Sequence, residues 1–197
     1  MPPITIMTAL PVQHLRGNAR ETYLAHLLAL EGDDVRLRFG SSLSSVAIEA
    51  YVARIDFEVD TIFGVYGEAL SLVGTAHVAF ADDLAELGVS VASQARRRGI
   101  GEALVTRAAE HVRNRRVPRL YMHCLAENAA MIRIARRAGM DVVVAAGDAD
   151  AHVTLEPATP LSVTSEMLAD RVALYDYALK SNVEAWRRAG VAWTGGT

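Results

Sequence analysis

The 197-residue chain has one cysteine, Cys124, and one lysine, Lys180, and only 6% of it is aromatic. A single cysteine excludes an intramolecular disulfide and any cysteine-based zinc cluster, and it fits a reducing compartment. No apolar run approaches the ~18–20 residues that a membrane span needs. The opening MPPITIMTALPVQH has no basic leader followed by an apolar stretch, so no secretion signal is visible. Low-complexity tracts and internal repeats are also missing. What is present is apolar: 51% hydrophobic residues against 22% charged, a composition too apolar for disorder. The expectation is a soluble, cytoplasmic protein with no membrane partner.

The net charge of −3 hides a segregation. Gln94–Arg137 holds 11 arginines and 3 glutamates, a local balance of +8, and the remainder carries −11. A basic block in an acidic chain calls for an anion. Nucleic acid is a weak candidate, because exposed aromatics are not interleaved with the arginines and no recognised binding motif occurs.

Periodicity places a strand at 4–7, a helix over 18–31 ended by Gly32, and a second helix over 42–55 capped by Ser42 or Ser44 with Val46, Ala50 and Ala53 inward. Three β-rich runs follow at 60–66, 70–80 and 84–92, separated by the turns Gly67-Glu68 and Asp82-Asp83. An amphipathic helix over 101–113 turns Leu104, Ala108 and Val112 inward. Next come a strand at 120–125, a helix over 128–138, strands at 140–145 and 152–155, and a last helix from 165 to about 188. This order describes a mixed α/β domain over residues 1–157 and a helical extension over 158–197. In the extension, Leu168, Val172, Tyr175 and Leu179 form a stripe that the domain or a second subunit must cover, so a homodimer is open.

The strongest local signal is the strand LAELGVSV passing through SQA into Arg96-Arg97-Arg98-Gly99-Ile100-Gly101 and directly into a helix. Its glycines bring backbone amides close to a ligand, and the helix start offers unpaired N–H groups and a positive dipole end. The three arginines complete a site for phosphate or pyrophosphate. No Gly-Lys-Ser/Thr follows, and the dinucleotide fingerprint lacks its third glycine.

These residues resemble the GCN5-related N-acetyltransferase (GNAT) family, whose Q/R-x-x-G-x-G/A signature matches Arg96 to Gly101. Val91 lies eight residues before Gly99, as the family's fourth-strand valine does, and Asn128 followed by Gly139-Met140 matches a second motif. The resemblance spans roughly 4–155. It implies an acyl-CoA N-acyltransferase fold: a mixed, mostly antiparallel central sheet of about seven strands flanked by helices, here with an extra C-terminal helix. It implies acetyl-CoA as cofactor, its pyrophosphate on Arg96, Arg97, Arg98, Gly99, Ile100 and Gly101, its pantetheine along Val89 to Val91, and Asn128 reaching it. The partner would be an amine acceptor, either a small molecule or a protein lysine. Motif detail (AELGVSV, CLAENAAMIRIARRAGM) is similar to bacterial protein-lysine acetyltransferases. A non-catalytic acyl-CoA sensor is the alternative.

Strand alternation puts Glu86, Gly88 and Ser90 on one face and Leu87, Val89 and Val91 on the other. Glu86 is the candidate general base, with partial burial expected to tune it. The family often has a tyrosine acid seven residues after the asparagine, but position 135 is alanine. Cys124, Ser90 and Tyr121 are the groups considered in its place. His77 and His123 read as ordinary sheet residues without a metal partner, so no metal is expected, and Arg36 and Arg38 read as solvated.

Overall fold

The computed structural model describes residues 10–194, with side chains as far as residue 188. The strand expected at 4–7 lies outside the described residues. Seven strands form one sheet in the order β1-β2-β3-β4-β5-β7-β6. They are β1 (Gln13–Leu15), β2 (Thr61–Tyr66), β3 (Leu72–Ala81), β4 (Leu84–Val91), β5 (Arg119–Leu125), β6 (Asp141–Ala145) and β7 (Asp148–Thr154). Every neighbouring pair is antiparallel except β4 and β5. This is the seven-stranded mixed sheet of the acyl-CoA N-acyltransferase fold.

That one parallel pair matters most for the site. β4 and β5 stay in register only from Leu84↔Arg119 to Glu86↔Tyr121. Beyond that point Leu87–Val91 has lost its β5 neighbour, so one side of its backbone can pair with a ligand.

Helices cover both faces. α4 (Ile100–Asn114) buries Leu104, Ala108 and Val112 as its spacing predicts. They pack with Phe63, Val78, Leu87 and Leu120 into the larger core. α5 (Ala129–Arg137) begins at Asn128, whose Oδ1 caps it by accepting from the Met131 N–H at 3.1 Å. On the opposite face, α1 (Arg20–Leu28), α2 (Gly32–Phe39) and α3 (Ser45–Arg54) build a second core around Tyr23, Leu27, Ile48, Val52 and Ile62.

Two expectations on this face need correction. Gly32 does not end the first helix, which stops at Leu28 with Ala29 as its cap; it opens α2, a short helix with Asp33 and Asp34 in its first turn, where the helix dipole favours acids. α3 is capped by Ser44, but Val46, Ala50 and Ala53 face solvent, and Ile48 and Val52 are buried instead. Alanine and valine at helical spacing mimic an inward face; the larger isoleucine removes more apolar area from water and sets the rotation.

The last helix, α6 (Pro160–Thr194), starts five residues earlier than its pattern suggests. Leu168, Val172, Tyr175 and Leu179 are all exposed. The helix instead docks through Ala173, Ser162 and a polar seam on α4. There Arg107, only 4% exposed, pairs with Glu166 at 2.9 Å and Asp170 at 2.6 Å. His111 and Asn114 each reach Glu166 at 2.6 Å. Burial opposes ionisation of Glu166, yet the hydrogen bonds from His111, Asn114 and Arg107 hold its carboxyl down at about 2.

Candidate active site

A cleft of about 430 Å³ opens where β4 leaves β5, between α2, the α4 N-terminus and α5. At one end lie Arg96, Arg97, Gly99, Ile100 and Gly101, with Arg133 and Arg137 from α5. Gly99, with φ +79°, occupies the N-cap of α4, a conformation that suits glycine. Arg97 is also left-handed, with φ +60°. The first backbone bond of the helix runs from the Ala103 N–H to the Gly99 carbonyl. The amides of Ile100, Gly101 and Glu102 therefore have no acceptor within the helix, which makes an anion site. Gly101 lies close against α5, where a Cβ would stand 2.9 Å from Ile134 Cδ1. Arg98, in the same loop, is exposed and is not part of the cleft wall. Arg96 is pinned by an ion pair with Asp34 and donates from Nε to the Val91 carbonyl at 3.3 Å.

Val89, Ser90, Val91 and Asn128 line the middle of the cleft. Asn128 spends its Oδ1 on the α5 cap, which leaves its amide nitrogen for a ligand.

The face of β4 toward α1–α3 carries Glu86, Gly88 and Ser90, as alternation predicts. Their partners across β3 are Ala79, His77 and Thr75. Glu86 is exposed, so the partial burial expected of it is not found. It lies just beyond the cleft wall, at the last register position β4 shares with β5.

Over Gly88 lies the guanidinium of Arg38, and any Cβ at position 88 would collide with it. Arg38 is therefore not a solvated side chain as the sequence suggested; it is half-buried and lines the cleft. Its NH2 donates to Tyr51 Oη at 3.2 Å. Tyr51 Oη is 2.5 Å from His77 Nδ1, and His77 Nε2 is 3.2 Å from Asp60. A carboxylate only accepts, so Nε2 carries the proton donated to Asp60, and Nδ1 accepts from Tyr51. Burial keeps the His77 pKa low. The result is a directed chain, Arg38 to Tyr51 to His77 to Asp60. His77 is thus not an ordinary sheet residue but a buried link in that chain. Arg36, by contrast, pairs on the surface with Glu127.

Ser90 has its own buried partners. His26 Nδ1 lies 2.9 Å from the Leu72 carbonyl, so it carries the ring proton, and burial keeps the ring neutral. His26 Nε2 then accepts from the Ser90 hydroxyl at 2.9 Å, and Thr75 sits 3.0 Å from the same oxygen.

The remaining candidates lie elsewhere. Cys124 packs with Ile132 and Ala149, away from the cleft wall, and burial raises its thiol pKa. Tyr121 donates to Asp150 at 2.5 Å, and that hydrogen bond pushes its phenol up to about 12. His123 sits on the surface between Asp148 and Asp150. Sequence reasoning missed Arg38, Tyr51, His77 and His26 as site residues. The one available signal was Gly88, a glycine inside a strand, which marks a close approach from another group.

A family model described as the acetyltransferase (GNAT) family matches residues 38–140, just over half of the chain. No curated protein matches the sequence. Among solved structures, the GNAT domain of S. lividans PAT aligns with a TM-score of 0.62 and 19% identity, over 73% of this chain and 89% of that one. The ribosomal-protein-alanine N-acetyltransferase from Brucella melitensis aligns at 0.57 and 22%, over 73% and 99%. The ribosomal-protein-S18-alanine N-acetyltransferase from Escherichia coli aligns at 0.58 and 16%, over 76% and 96%. At these identities the likeness carries the fold.

Proposed function

The chain belongs to the acetyltransferase (GNAT) family, and from that premise we propose that it is an acetyl-CoA-dependent N-acetyltransferase acting on a primary amine by direct attack in a ternary complex. The observation that carries this reading is the cleft itself. It joins an anion site of unpaired amides and arginines to an unpaired strand edge, and it ends beside a carboxylate. A long polyanion with a neutral arm fits that order of groups. When bound, acetyl-CoA supplies an acyl carbon activated as a thioester.

The residues of the chain do the rest. Arg96, Arg97 and the amides of Ile100, Gly101 and Glu102 bind the pyrophosphate, with Gly99 setting the turn. Val89 and Val91 hold the pantetheine through their backbone, and Asn128 Nδ2 contributes a donor. Glu86 accepts the proton that the acceptor ammonium must lose before its nitrogen can attack. No step is assigned to Cys124, whose surroundings are apolar. The leaving thiol is acidic enough to depart without a general acid, which accords with alanine at position 135.

The acceptor is an amine, either a small molecule or a protein lysine. The exposed stripe of α6, with Leu168, Val172, Tyr175 and Leu179 at alternating spacings of four and three, is assigned to a homodimer seam. Residues 158–197 are then an extension that serves assembly, and light scattering of the intact chain reads that state directly.

Appearance of free CoA thiol with a primary amine present tests the activity. Glu86→Gln is expected to lower kcat by ~100-fold or more while leaving acetyl-CoA affinity intact. An unchanged kcat removes Glu86 from the mechanism. Wild-type protein that binds acetyl-CoA but never releases thiol with any amine removes the enzyme reading.

A further inference from the structure

Some arginines over the described surface find carboxylates: Arg36 with Glu127, Arg96 with Asp34, Arg119 with Asp83, Arg137 with Glu102. Arg107 is buried and has two. Of the three cleft-wall arginines with no carboxylate partner among the described residues, Arg97 and Arg133 are exposed at the anion site; the third is Arg38. It is half-buried, it stacks on Gly88 and the ring of Phe39, and among the described residues no carboxylate lies within ion-pair distance of it. Residues 1–9 and 189–197 contain no aspartate or glutamate side chain that could supply one. Asp60 is the nearest acid along its hydrogen-bond chain and stands behind Tyr51 and His77.

A guanidinium has five N–H donors in a planar fork. Here one of them is used, by Tyr51. The rest belong to a residue that lines the cleft. Withdrawing a cation from water without a counter-charge is costly, and a ligand anion recovers that cost. Tyr23, fully buried on α1, has a hydroxyl without a hydrogen-bond partner and lies near Arg38 in this same cluster. Three helices therefore converge polar groups on one point of β4, where the Arg38–Tyr51 bond leaves the other guanidinium donors and the Tyr23 hydroxyl open.

The position of that point identifies the anion. The phosphate-type site lies at the α4 N-terminus, beyond the end of β4, whereas Arg38 sits over the middle of the strand. It shares a face with Glu86, two residues from Gly88, a rise of about 7 Å. Glu86 is where an ammonium would lose its proton. A carboxylate on the guanidinium and an amine at Glu86 are thus a few ångströms apart, the separation found within one small zwitterion.

On the acetyltransferase reading above, we propose that Arg38, oriented by Tyr51, binds the carboxylate of the acceptor, and that the acceptor is a small amine bearing a carboxylate, of the amino-acid class. Gly88 is the residue that makes room for the fork. The Tyr51–His77–Asp60 chain holds the guanidinium in place without neutralising it.

The test compares amino acids with their carboxamides as acceptors, with acetyl-CoA saturating and thiol release as readout, alongside lysine peptides blocked at both ends. Each acid–amide pair differs only at the carboxylate. The amide has the less basic amine, which by itself favours the amide. The expected result is a kcat/KM at least ~10-fold higher for the acids, consistent with a charge-assisted bidentate pair. Arg38→Gln should erase that preference through a higher acceptor KM, with the acetyl-CoA KM unchanged, and Arg38→Lys should restore part of it.

Carboxamides used as well as acids by the wild-type protein overturn the proposal, and that comparison needs no variant to fold. So does turnover confined to blocked lysine peptides. If Arg38→Gln lowers kcat equally for acids and amides with both KM values unchanged, Arg38 serves the reacting centre and the proposal falls. In all three cases acetyl transfer itself still stands. If no amine of any kind releases thiol, the acetyltransferase reading fails and this inference fails with it.

Discussion

Arg107 and Arg38 are both drawn out of solvent, and their surroundings differ in one respect. At the seam between α4 and α6, Arg107 meets Glu166 and Asp170, and His111 and Asn114 complete the bonding of Glu166. Over β4, Arg38 meets a phenol and no carboxylate. A sequestered charge with its counter-charge built in fastens one helix to another. A sequestered charge without one is left to bind something. The same side chain is structural in the first place and receptive in the second, and only its neighbours decide which.

Substitutions at the two places should separate accordingly. Gly88→Val drives a side chain into the Arg38 guanidinium, and Arg38 must then leave its place. Acceptor kcat/KM should fall by ~100-fold, the scale expected when a binding group is displaced by about an ångström. Acetyl-CoA affinity measured by calorimetry should hold, and an equal loss of both would mean that β4 itself had been distorted.

The seam should respond in stability instead. Glu166 has a folded pKa of about 2 against an ordinary 4.5. A depressed carboxylate contributes stability that is fully present above its unfolded value and is lost as pH falls through the folded one. Acid should therefore weaken the protein progressively from about pH 5 toward pH 2. Allowing for solvent screening, the contribution is roughly 2 kcal/mol. Glu166→Gln should lower Tm at pH 7 and flatten its fall with acid, with acceptor KM untouched. A Tm that falls with acid as steeply as in the wild type would place the acid sensitivity elsewhere.

A third region works with hardly any side chains. Gly99→Val forces a β-branched residue to φ +79° at the mouth of the anion site. The left-handed strain of about 1–2 kcal/mol should weaken acetyl-CoA binding by ~10-fold and spare the acid-over-amide preference. Loss of that preference would mean that the two ends of the cleft are coupled.

These regions also differ in how much of each is legible in the sequence. The phosphate loop is contiguous, and its glycines are forced by backbone geometry, so RRRGIG announces itself. The period-two alternation of β4 placed Glu86, Gly88 and Ser90 on one face, and the register with β3 agrees. α4 was legible because Leu104, Ala108 and Val112 repeat along a single stripe. α3 was misread because small residues keep the helical period on either face, and α2 because eight residues carry too little pattern to separate from the helix before it. Arg38, Tyr51 and His77 stand on α2, α3 and β3 at no spacing that signals anything. They meet because three elements cross.

The sequence by itself determined the elements that depend on local backbone rules: the strand-to-loop-to-helix turn, the inward face of α4, and the family to which these belong. Tertiary structure alone decided where β4 and β5 part, which arginine loses its water, and which carboxylates lie within reach of it. Local rules act between residues near in the chain, whereas a charge is satisfied or left open by whatever the fold brings beside it. The sequence held a single lysine and a wealth of arginine from the outset. It took the fold to show that Arg38 is drawn from solvent beside the cleft without a counter-charge.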